Sequence, residues 1–562
     1  MGQTSQKQPG MSPDVGVPGV SSGNPQAAPD ALQGSLTASC PEQPTCKNVC
    51  GCGSCWVWLW PKPQHGRPIA RTCGPAAIVV DPYSSGRYLL YELQPRMAII
   101  CVRSSLNLGT FFLKAYDRNK EYFSATVDHQ SLQQVVDEVR ALPFSIVGVF
   151  GGSEPGVELA DQLAEALAMP ASNPTALTNA RKDKAAMQER LRECGVPAAD
   201  QIKSGDLTKL LGWAQQRNCW PVVAKPTGSS GSDGIFFCQS CDDIASAHAE
   251  LIGKMNPNGQ CNDALALQEF LKGTEYIVDT VSHAGRHLCV AIWVYTKRQG
   301  VAWAPHAIVS EGNRLLPASG EVQDRLVEYV FQVLTAVGLQ NGPCHTEVIL
   351  TSRGPILVEV NARLHGLQGP HLIGLATGTS KAAYAVDAIV DGGAIFEKRF
   401  LPGPNRFLYP LQKHCLQMVL ISPVQGYLKA SIEKSIQRLR LSSVVEVIPS
   451  VKPGDYLHQT CDLNSAAGYV LMVHKSGAQI DQDRQKIREA EESGALYPVS
   501  LAPLGKGYVS PARSPASPGA PRSPASPRLQ STEKIEETWE ALDTLTLSEI
   551  SKEANFTMDG LE

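Results

Sequence analysis

The chain has 562 residues, a formal net charge of -4 and a hydrophobic content of 43%. This length exceeds what a single hydrophobic core usually serves, so we expect several packed units. The balanced charge, without long basic runs, excludes an electrostatic surface for nucleic acid, and no apolar run reaches the roughly 18 residues of a membrane-spanning helix. We therefore expect a cytoplasmic protein that binds neither nucleic acid nor membrane.

The first 70 residues are rich in Pro, Gly, Ser and Gln and have no hydrophobic periodicity, which predicts a disordered leader over 1–70. Five cysteines cluster near its end: Cys40, Cys46, Cys50, Cys52 and Cys55. They could bind zinc, but no second paired-cysteine half follows at finger spacing, so a poorly ordered segment is favoured. Most other cysteines stand singly in apolar or helical contexts, as do the buried thiols of a reducing compartment; examples are Cys101, Cys238, Cys344 and Cys415.

Order begins after the leader with strands that alternate with helices. The predicted buried strands are 76–80, 97–102 and 146–150. The third leads into Gly151-Gly152 and a helix from about 156 to 167. Repetition of strand, turn and helix predicts a parallel α/β domain over 71–172. The glycines form no G-x-G-x-x-G series, so a dinucleotide site is not favoured.

A lysine and a glycine-rich segment lie between two predicted strands. Lys225 ends an apolar run, and the loop that follows includes Gly228, Ser229, Ser230 and Gly231. Such a hairpin can fold over phosphates and donate backbone N–H groups and hydroxyls, while the lysine at its root contacts a phosphate as a point charge. No Lys-Ser/Thr pair follows the glycines, so this is not a Walker A loop, and a mobile surface hairpin is the plain alternative.

The next segment reads as a strand over 265–271 that turns at Lys272-Gly273-Thr274 and resumes over 275–279. Backbone groups of such a segment could pair with an adenine edge. Glu275 could accept both hydroxyls of a ribose. Taken alone, an ordinary amphipathic hairpin explains the pattern better.

Two further strands are predicted on either side of a turn at 352–355. Side chains alternate along a strand, so Glu359 and Asn361 share one face, and Glu347 can face them from the partner strand. Two carboxylates and an amide oxygen form a hard-oxygen cluster suited to Mg²⁺, and the following Arg363 can hold a phosphoryl group bidentately. A solvent-exposed polar face would explain the alternation but not the carboxylate on the partner strand.

In chain order the candidate residues are Lys184, Lys225 with its glycine loop, Glu269, Glu275, Glu347, Glu359, Asn361 and Arg363. This series resembles the ATP-grasp superfamily, and within it the L-amino acid ligases and carnosine-synthase-like carboxylate–amine ligases. The resemblance covers about residues 76–500.

The resemblance implies an ATP-grasp fold of the α/β and α+β class. It makes 71–172 the N-terminal parallel α/β (pre-ATP-grasp) domain. A two-lobed nucleotide-binding region is expected over 173–400 with a central lid at about 205–272, and a C-terminal α+β subdomain over 401–505. Composition predicts a Ser/Pro linker over 506–530 and an acidic tail over 531–562, whose apolar residues stand near the spacing of a helix. The tails could dock a protein partner.

The resemblance also implies roles for single residues. The ATP phosphates are assigned to Lys184 and Lys225. The adenine is assigned to a hinge made of Glu269, Phe270 and Leu271, and the ribose to Glu275. Two Mg²⁺ ions, which Mn²⁺ could replace, are assigned to Glu347, Glu359 and Asn361. The expected catalytic residues are Arg363 at the transferred phosphoryl, His345 beside the substrate, and Lys225.

Some positions leave the site open. His345 alone would more readily be a hydrogen-bonded core histidine. His365 and Leu367 stand where such ligases often have glycines, which leaves carboxylate binding by that loop undecided. Candidates for holding a substrate carboxylate are Arg286, His287, Lys297, Arg298 and His306.

The expected activity is an ATP-dependent ligase that joins an amino acid to an amine, with small-molecule substrates. The oligomeric state stays open, although the resemblance implies a homodimer as the family's usual arrangement. The absence of a Gly-x-Ser-x-Gly elbow fits a reaction that needs no protein nucleophile. Two alternatives stay open. One is another acid-activating ATP-grasp enzyme, such as a biotin-carboxylase-like one, although the chain has no Met-Lys-Met segment. The other is a nucleotide-binding scaffold without turnover.

Overall fold

Four β-sheets organise the described part of the chain, which in this computed structural model comprises residues 71–108, 110–229, 233–256, 258–399 and 409–503. The predicted leader with its cysteine cluster, Ser230 and Gly231 of the glycine loop, the linker and the acidic tail lie outside these residues.

The first sheet is parallel. Its strands are β1 (Gly74–Val80), β2 (Ala98–Arg103), β3 (Ala125–Asp128) and β4 (Phe144–Gly151), in the order β3-β2-β1-β4. Its helices are α1 (Arg87–Leu93), α2 (Thr110–Asn119), α3 (Leu132–Ala141) and α4 (Val157–Ala166). Residues 76–80 are fully buried, as expected of a parallel strand covered on both faces. The predicted α/β layout is therefore confirmed, although the sequence pattern did not reveal the short β3.

Two short helices follow, α5 (Thr178–Lys182) and α6 (Lys184–Glu193). The Asp183 carboxylate caps α6, since it accepts from the backbone N–H groups of Ala185 and Ala186 at 2.9 Å. The cap sets Lys184 at the first position of the helix. Arg181 fixes this segment from inside: it is fully buried, pairs with Asp161 of α4 at 2.7 Å, and donates to the carbonyl of Val337 at 2.9 Å.

The second sheet is small and antiparallel. Its strands are β5 (Gln201–Ser204), β6 (Val222–Pro226), β7 (Phe236–Cys238) and β8 (Leu265–Glu269), in the order β5-β8-β6-β7. Helices α7 (Leu207–Arg217) and α8 (Cys241–Leu251) pack on it and bury an apolar cluster around Leu210, Ile244 and Leu267. The glycine-rich segment joins β6 to β7, as the sequence predicts.

The third sheet is the largest and contains most of the buried core. It starts with β9 (Gly273–His283), β10 (Arg286–Val301), β11 (Ala304–Leu315), β12 (Gly342–Thr351) and β13 (Gly354–Asn361). Its helices are α9 (Glu321–Ala336), α10 (Gly369–Thr377), α11 (Lys381–Val390) and α12 (Ala394–Arg399). Trp293 of β10 and Val330 of α9 are fully buried in the main apolar cluster.

Later strands extend the same sheet. They are β14 (His414–Leu420), β16 (Val444–Pro449) and β18 (Gly468–His474), and the strand order is β13-β12-β9-β10-β11-β14-β18-β16, antiparallel throughout. A fourth, three-stranded sheet contains β15 (Gly426–Leu428), β17 (Tyr456–Leu457) and β19 (Val499–Ser500), near helices α13 (Ile432–Gln437) and α14 (Gly477–Glu492). The predicted division near residue 400 thus separates segments that share one sheet.

The hairpin alternative for 265–279 is wrong. β8 pairs with β5 and β6 in the small sheet, whereas β9 pairs with β10 and β12 in the large one. The main chain over 270–272 therefore crosses between two sheets and belongs to neither ladder.

Cys101, Cys238, Cys344 and Cys415 are buried free thiols, as their apolar contexts predict. Among the described helices, none combines the length and apolar character needed to cross a membrane.

The buried Arg181 gives a stability prediction. We expect Arg181→Met to lower the free energy of unfolding by about 3–5 kcal/mol, because it leaves the Asp161 carboxylate buried without its partner. Lys120→Met is the matched control: its ion pair with Asp117 is exposed on both sides, and removal should cost no more than about 1 kcal/mol. Urea denaturation followed by fluorescence measures both, and equal effects of the two variants would contradict the prediction.

Candidate functional site

The hairpin of β12 and β13 brings the predicted metal-binding residues together. Its register sets Glu347 directly opposite Glu359 and His345 opposite Asn361. Residues opposite each other on antiparallel strands project from the same face, so the two carboxylates are neighbours. Val348 and Val360 are buried in the core. Alternation along each strand therefore produces the polar face that the sequence predicts.

Lys184 lies against this pair. Its Nζ is 3.0 Å from Oε2 of Glu359, and it also donates to the carbonyl of Ser229 in the glycine loop. The backbone N–H of Lys184 donates to the carbonyl of Thr227 at 3.1 Å. Burial disfavours the charged ammonium, but the carboxylates, Glu359 first among them, outweigh burial and raise the pKa of Lys184. Lys184 thus links the start of α6, the loop and the carboxylate pair.

Lys297 of β10 lies on the other side of the pair. Its Nζ is 2.6 Å from Oε1 of Glu275 and 3.4 Å from Oε2 of Glu347. Burial and the nearby Glu347 carboxylate raise the pKa of Glu275 to about 7, against the opposing effect of Lys297. Glu275, Glu347 and Glu359 therefore form one carboxylate cluster. The sequence offered Lys297 only as a candidate for binding a substrate carboxylate, but in the structure it pairs with Glu275 and Glu347.

Lys225 has a different environment. It is 5% exposed at the end of β6, and within the described residues its ammonium forms no ion pair. Burial and the neighbouring Lys184 charge lower the pKa of Lys225 to about 8. A buried lysine next to other lysines favours an anion, which fits the predicted role at a phosphate.

The described part of the glycine loop is anchored on one side. The carbonyl of Gly228 accepts from Nδ2 of Asn258 at 2.9 Å, and a Cβ at Gly228 would come within 2.6 Å of Oε1 of Gln260. Ser229 Oγ donates to Oδ2 of Asp233 at 2.7 Å. The loop therefore packs on the segment after α8, and a bulkier residue at Gly228 would displace Gln260.

At the predicted adenine hinge, the Glu269 carboxylate is already engaged. Its Oε1 accepts from the backbone N–H of Asp200 at 3.0 Å and from Nη2 of Arg353 at 2.7 Å. The ring of Phe270 lies edge-on to that of Phe237 at 5.5 Å. The side chain of Glu269 thus holds the crossover between the sheets, which leaves the main chain of Phe270 and Leu271 for recognition of a base.

Arg363 connects Asn361 and the carboxylate cluster to the parallel sheet. Its Nε is 2.8 Å from Oε2 of Glu154, and its Nη2 donates to Oδ1 of Asn361 at 3.1 Å. Asn361 Nδ2 in turn donates to Oε1 of Glu359 at 3.1 Å. Sequence reasoning missed Glu154, although its position just after β4 and the Gly151-Gly152 turn is where α/β sheets place ligand-binding residues.

A second buried network lies beside the cluster on the same face of the sheet. Asp279 of β9 accepts from Lys381 Nζ at 2.7 Å, Trp293 Nε1 at 2.7 Å and His365 Nδ1 at 2.8 Å. Burial opposes its charge, but Lys381 and the hydrogen bonds keep the pKa of Asp279 well below its usual range. Sequence reasoning missed Asp279 and Lys381. Alternation along β9 from Glu275 would have placed Asp279 on the correct face.

His345 bridges the network and the cluster. Its Nε2 is 3.3 Å from Oε1 of Glu347, its Nδ1 is 3.4 Å from Oδ1 of Asp279, and its ring lies 4.2 Å from that of His365. It is 5% exposed, and its Nδ1 has no well-aligned hydrogen bond. His345 is thus a buried histidine held between two carboxylates, while its place beside a substrate stays a prediction.

Two groups of side chains have the chemistry of a metal site. The possible ligand atoms of Asp279, His345 and His365 lie within 4.8 Å of one another, but the Lys381 ammonium already balances Asp279. Glu347 and Glu359 offer hard oxygens. The ammonium groups of Lys297 and Lys184 balance the charges of these carboxylates, and the side chains of both ion pairs are partly exposed to solvent. The second group therefore fits Mg²⁺ better. Asn361 would join it through the free lone pair of Oδ1.

The other candidates for binding a substrate carboxylate have partners elsewhere. Arg286 pairs with Glu397 at 2.5 Å, and Arg298 pairs with Glu311 at 2.6 Å. His287 hydrogen-bonds to Ser282 Oγ at 2.8 Å. The side chain of His306 is not among those described. None of these described residues contacts the carboxylate cluster.

The sequence is similar to those of known enzymes and to one domain family. Residues 219–370 match the ATP-grasp domain family. Over 423 residues the chain is 28% identical to dapdiamide A synthase of Enterobacter agglomerans, covering 74% of this chain and 95% of that protein. It is 27% identical over 188 residues to an L-arginine-specific L-amino acid ligase of Bacillus subtilis, covering 33% of this chain and 43% of that protein.

A likeness also exists at the level of structure. The L-amino acid ligase from Bacillus licheniformis aligns with a TM-score of 0.58 and 16% identity, covering 75% of this chain and 98% of that chain. At this identity the alignment establishes the fold. It confirms the α/β and α+β architecture expected from the sequence.

The carboxylate pair gives a prediction on metal binding. With ADP present, we expect Glu347→Gln and Glu359→Gln each to weaken Mn²⁺ binding at least about tenfold, because each loses an anionic ligand. Glu193→Gln is the control, since Glu193 is exposed and its one ion pair within the described residues is with Arg190. Electron paramagnetic resonance of free Mn²⁺ measures the affinity, and unchanged binding in both site variants would exclude this cluster as the metal site.

Proposed function

Residues 219–370 match the ATP-grasp domain family, and on that basis we propose that the chain is an ATP-dependent carboxylate–amine ligase that joins amino acids into a dipeptide-like amide. The observation that supports this most directly is the facing pair Glu347 and Glu359 between Lys184 and Lys297. The similarity to a dapdiamide synthase and to an L-amino acid ligase supports amino acids as substrates.

The proposed reaction has two steps. A carboxylate is a poor acylating agent because its leaving group would be oxide. Transfer of the γ-phosphoryl group of ATP to a carboxylate oxygen gives an acyl phosphate and ADP. The amine then attacks the carbonyl carbon, the bond to phosphate breaks, and loss of a proton from nitrogen leaves the amide. The protein supplies alignment and charge neutralisation rather than a nucleophile.

Cationic side chains supply that neutralisation. We assign the ATP phosphates to Lys184 and Lys225, and the transferred phosphoryl group to Arg363. Lys225 suits this role because it is buried and has no described carboxylate partner. Mg²⁺, held by Glu347, Glu359 and Asn361, would neutralise phosphate charge and orient the phosphoryl group when bound. His345 would lie beside the reacting carboxylate through its contact with Glu347.

The place of the adenine is inferred from the main chain that crosses between the small and the large sheet over residues 270–272. We assign the adenine to the main chain of Phe270 and Leu271, because the Glu269 carboxylate is occupied by Asp200 and Arg353. Glu275 was expected at the ribose. Its pairing with Lys297 next to Glu347 instead favours a place at the phosphate end.

The glycine loop would act as a lid. Its described residues Gly228 and Ser229 contact the segment after α8 on one side and Lys184 on the other. A loop in this position can exclude water from an acyl phosphate, which would otherwise hydrolyse. Ser230 and Gly231 are proposed to donate to phosphate, as the sequence pattern suggests.

The rival functions have less support from the described residues. A scaffold without turnover needs no intact set of lysines, arginine and carboxylates at one place on the sheet. Another acid-activating reaction would use the same ATP residues, so substrate tests decide between them. The homodimer, the docking of the tails and the cellular location stay predictions.

The decisive experiment measures phosphate release from Mg-ATP with single and paired amino acids, including β-alanine and γ-aminobutyrate. We expect release that requires a particular pair, because phosphate leaves only after an amine attacks the acyl phosphate. Glu359→Ala should lose this activity, and Glu193→Ala should keep it. Mass spectrometry of the product identifies the amide.

Two outcomes would count against the ligase. Release with one acid alone, independent of any amine, would favour another acid-activating reaction. ATP binding without release for any pair would favour the scaffold.

Lys225 gives a prediction on proton linkage. Its pKa of about 8 in the free protein means that at pH 8.5 it is mostly neutral, and bound phosphates should raise that pKa and draw a proton from solution. We expect calorimetric titration of ADP at pH 8.5 in buffers of different ionisation enthalpy to show uptake of up to about three quarters of a proton. Uptake from Lys225 should vanish at pH 6.5, where Lys225 is already protonated.

Lys225→Arg is the matched variant for this measurement, because arginine stays charged throughout. It should bind ADP without the uptake seen at pH 8.5. Equal uptake by this variant and the wild type would show that another group takes up the proton.

A further inference from the structure

Arg87 of α1 lies against the loop that follows Arg363. Its Nη2 donates to Oε1 of Gln368 at 2.5 Å and to the hydroxyl of Tyr88 at 3.1 Å. Tyr88 also hydrogen-bonds to Oε1 of Gln368. Both partners are neutral. The N–H groups of Nε and Nη1 have no acceptor among the described residues, so more than half of the guanidinium's donors stay available.

The lack of an acidic partner is unusual in this protein. Of the described arginines that are at least partly buried, all but Arg71 and Arg87 have a carboxylate within 4.0 Å. Arg71 instead donates to the carbonyl of Pro95. A guanidinium withdrawn from water is costly unless an anion compensates it. Arg87 is therefore a half-buried cation with no carboxylate within 4.0 Å among the described residues, and the Glu446 carboxylate acts on it only from a greater distance.

Gln368 ties Arg87 to the face of the sheet that carries the reactive groups. Its backbone N–H donates to Oε1 of Gln417 on β14 at 2.9 Å, and Gln417 is 2% exposed. Gln417 is directly opposite Asn313 of β11, whose side chain contacts Nε2 of His365 at 3.0 Å. His365 belongs to the Asp279 network beside Glu347. A series of contacts thus connects Gln368, the residue that Arg87 contacts, with that face of the sheet.

Arg363 and the partner of Arg87, Gln368, belong to the same short loop. Arg363 and Gln368 are five residues apart, so their Cα atoms lie at most roughly 17 Å from each other. The start of the loop is also fixed to the parallel sheet, because Ser85 Oγ donates to the carbonyl of Leu364 at 3.3 Å. Arg363 thus begins an anchored loop, and Arg87 contacts Gln368 further along it; of the two arginines only Arg363 has a carboxylate within ion-pair distance, that of Glu154.

We propose that Arg87, oriented by Gln368, binds the free carboxylate of the amine-donating substrate, which is then an amino acid rather than a simple amine. This inference rests on the ligase function proposed above. The amine must reach the acyl phosphate near Arg363, so the carboxylate of the same molecule must lie away from it. A guanidinium with open donors binds a carboxylate bidentately, which fixes the orientation of the nucleophile.

The test compares amine donors with and without a carboxylate. Phosphate release is measured for the donors found in the substrate matrix, each offered as the free amino acid and as its carboxamide. In the wild type we expect the carboxamide to have the higher KM. Arg87→Met should raise the KM of the free amino acid about 10- to 100-fold, the usual effect of losing a hydrogen-bonded charge pair, and leave the carboxamide unchanged.

Three further variants sharpen the result. Arg87→Lys keeps the charge but loses the fork, so its KM should fall between those of wild type and Arg87→Met. Gln368→Ala should raise the KM of the free amino acid by a smaller factor. Arg96→Met removes a nearby exposed arginine, paired with Asp391, and should change neither KM. The KM for ATP should stay constant throughout.

The outcomes distinguish a failure of the inference on Arg87 from a failure of the proposed ligase function. If the wild type is a ligase but Arg87→Met affects amino acid and carboxamide equally, or neither, the inference is wrong and the function stands. If the wild type releases no phosphate, the function fails, and calorimetric binding of the twenty amino acids, β-alanine and γ-aminobutyrate against their carboxamides decides the inference. Arg87-dependent preference for carboxylates would support it, and its absence would overturn it.

Discussion

The concentration of carboxylates on one face of the large sheet is the constraint on which the site depends. Glu275, Asp279, Glu347 and Glu359 project from three adjacent strands into a largely buried space, where like charges repel strongly. Lysines balance them, and each comes from a different element: Lys184 from α6, Lys297 from β10 and Lys381 from α11. Charge pairing therefore helps to determine where those helices meet the sheet.

The pairs differ in how water reaches them. Asp279 and Lys381 are both fully buried, so their pairing is a permanent part of the core. The pairs of Lys184 with Glu359 and of Lys297 with Glu347 keep between 12% and 17% of each side chain exposed. Ions from solution can compete for these atoms. One buried pair thus fixes the geometry, while two accessible pairs leave room for exchange between ammonium, metal and phosphate.

The sequence predicted the features that depend on local pattern. Two-residue alternation places Glu359 and Asn361 on one face, and the apolar strands with their turns indicate the parallel sheet. What it missed depends on contacts between distant segments: Asp279 with Lys381, Glu154 with Arg363, and Arg87 with Gln368. The strands around residue 270 show the same limit, since nothing local distinguishes a hairpin from a crossover. The periodicity of a sequence does not indicate which distant element a side chain will contact.

The central strand order has a consequence for how the protein is made. β11 pairs on one side with β10, formed just before it, but its other neighbour is β14, which is synthesised only after β12, β13 and the helices that follow. Until β14 emerges from the ribosome, β11 presents an open ladder, a template for pairing with other chains. Nascent chains should therefore depend on chaperones until β14 has emerged, and chains that terminate before β14 should depend on them throughout.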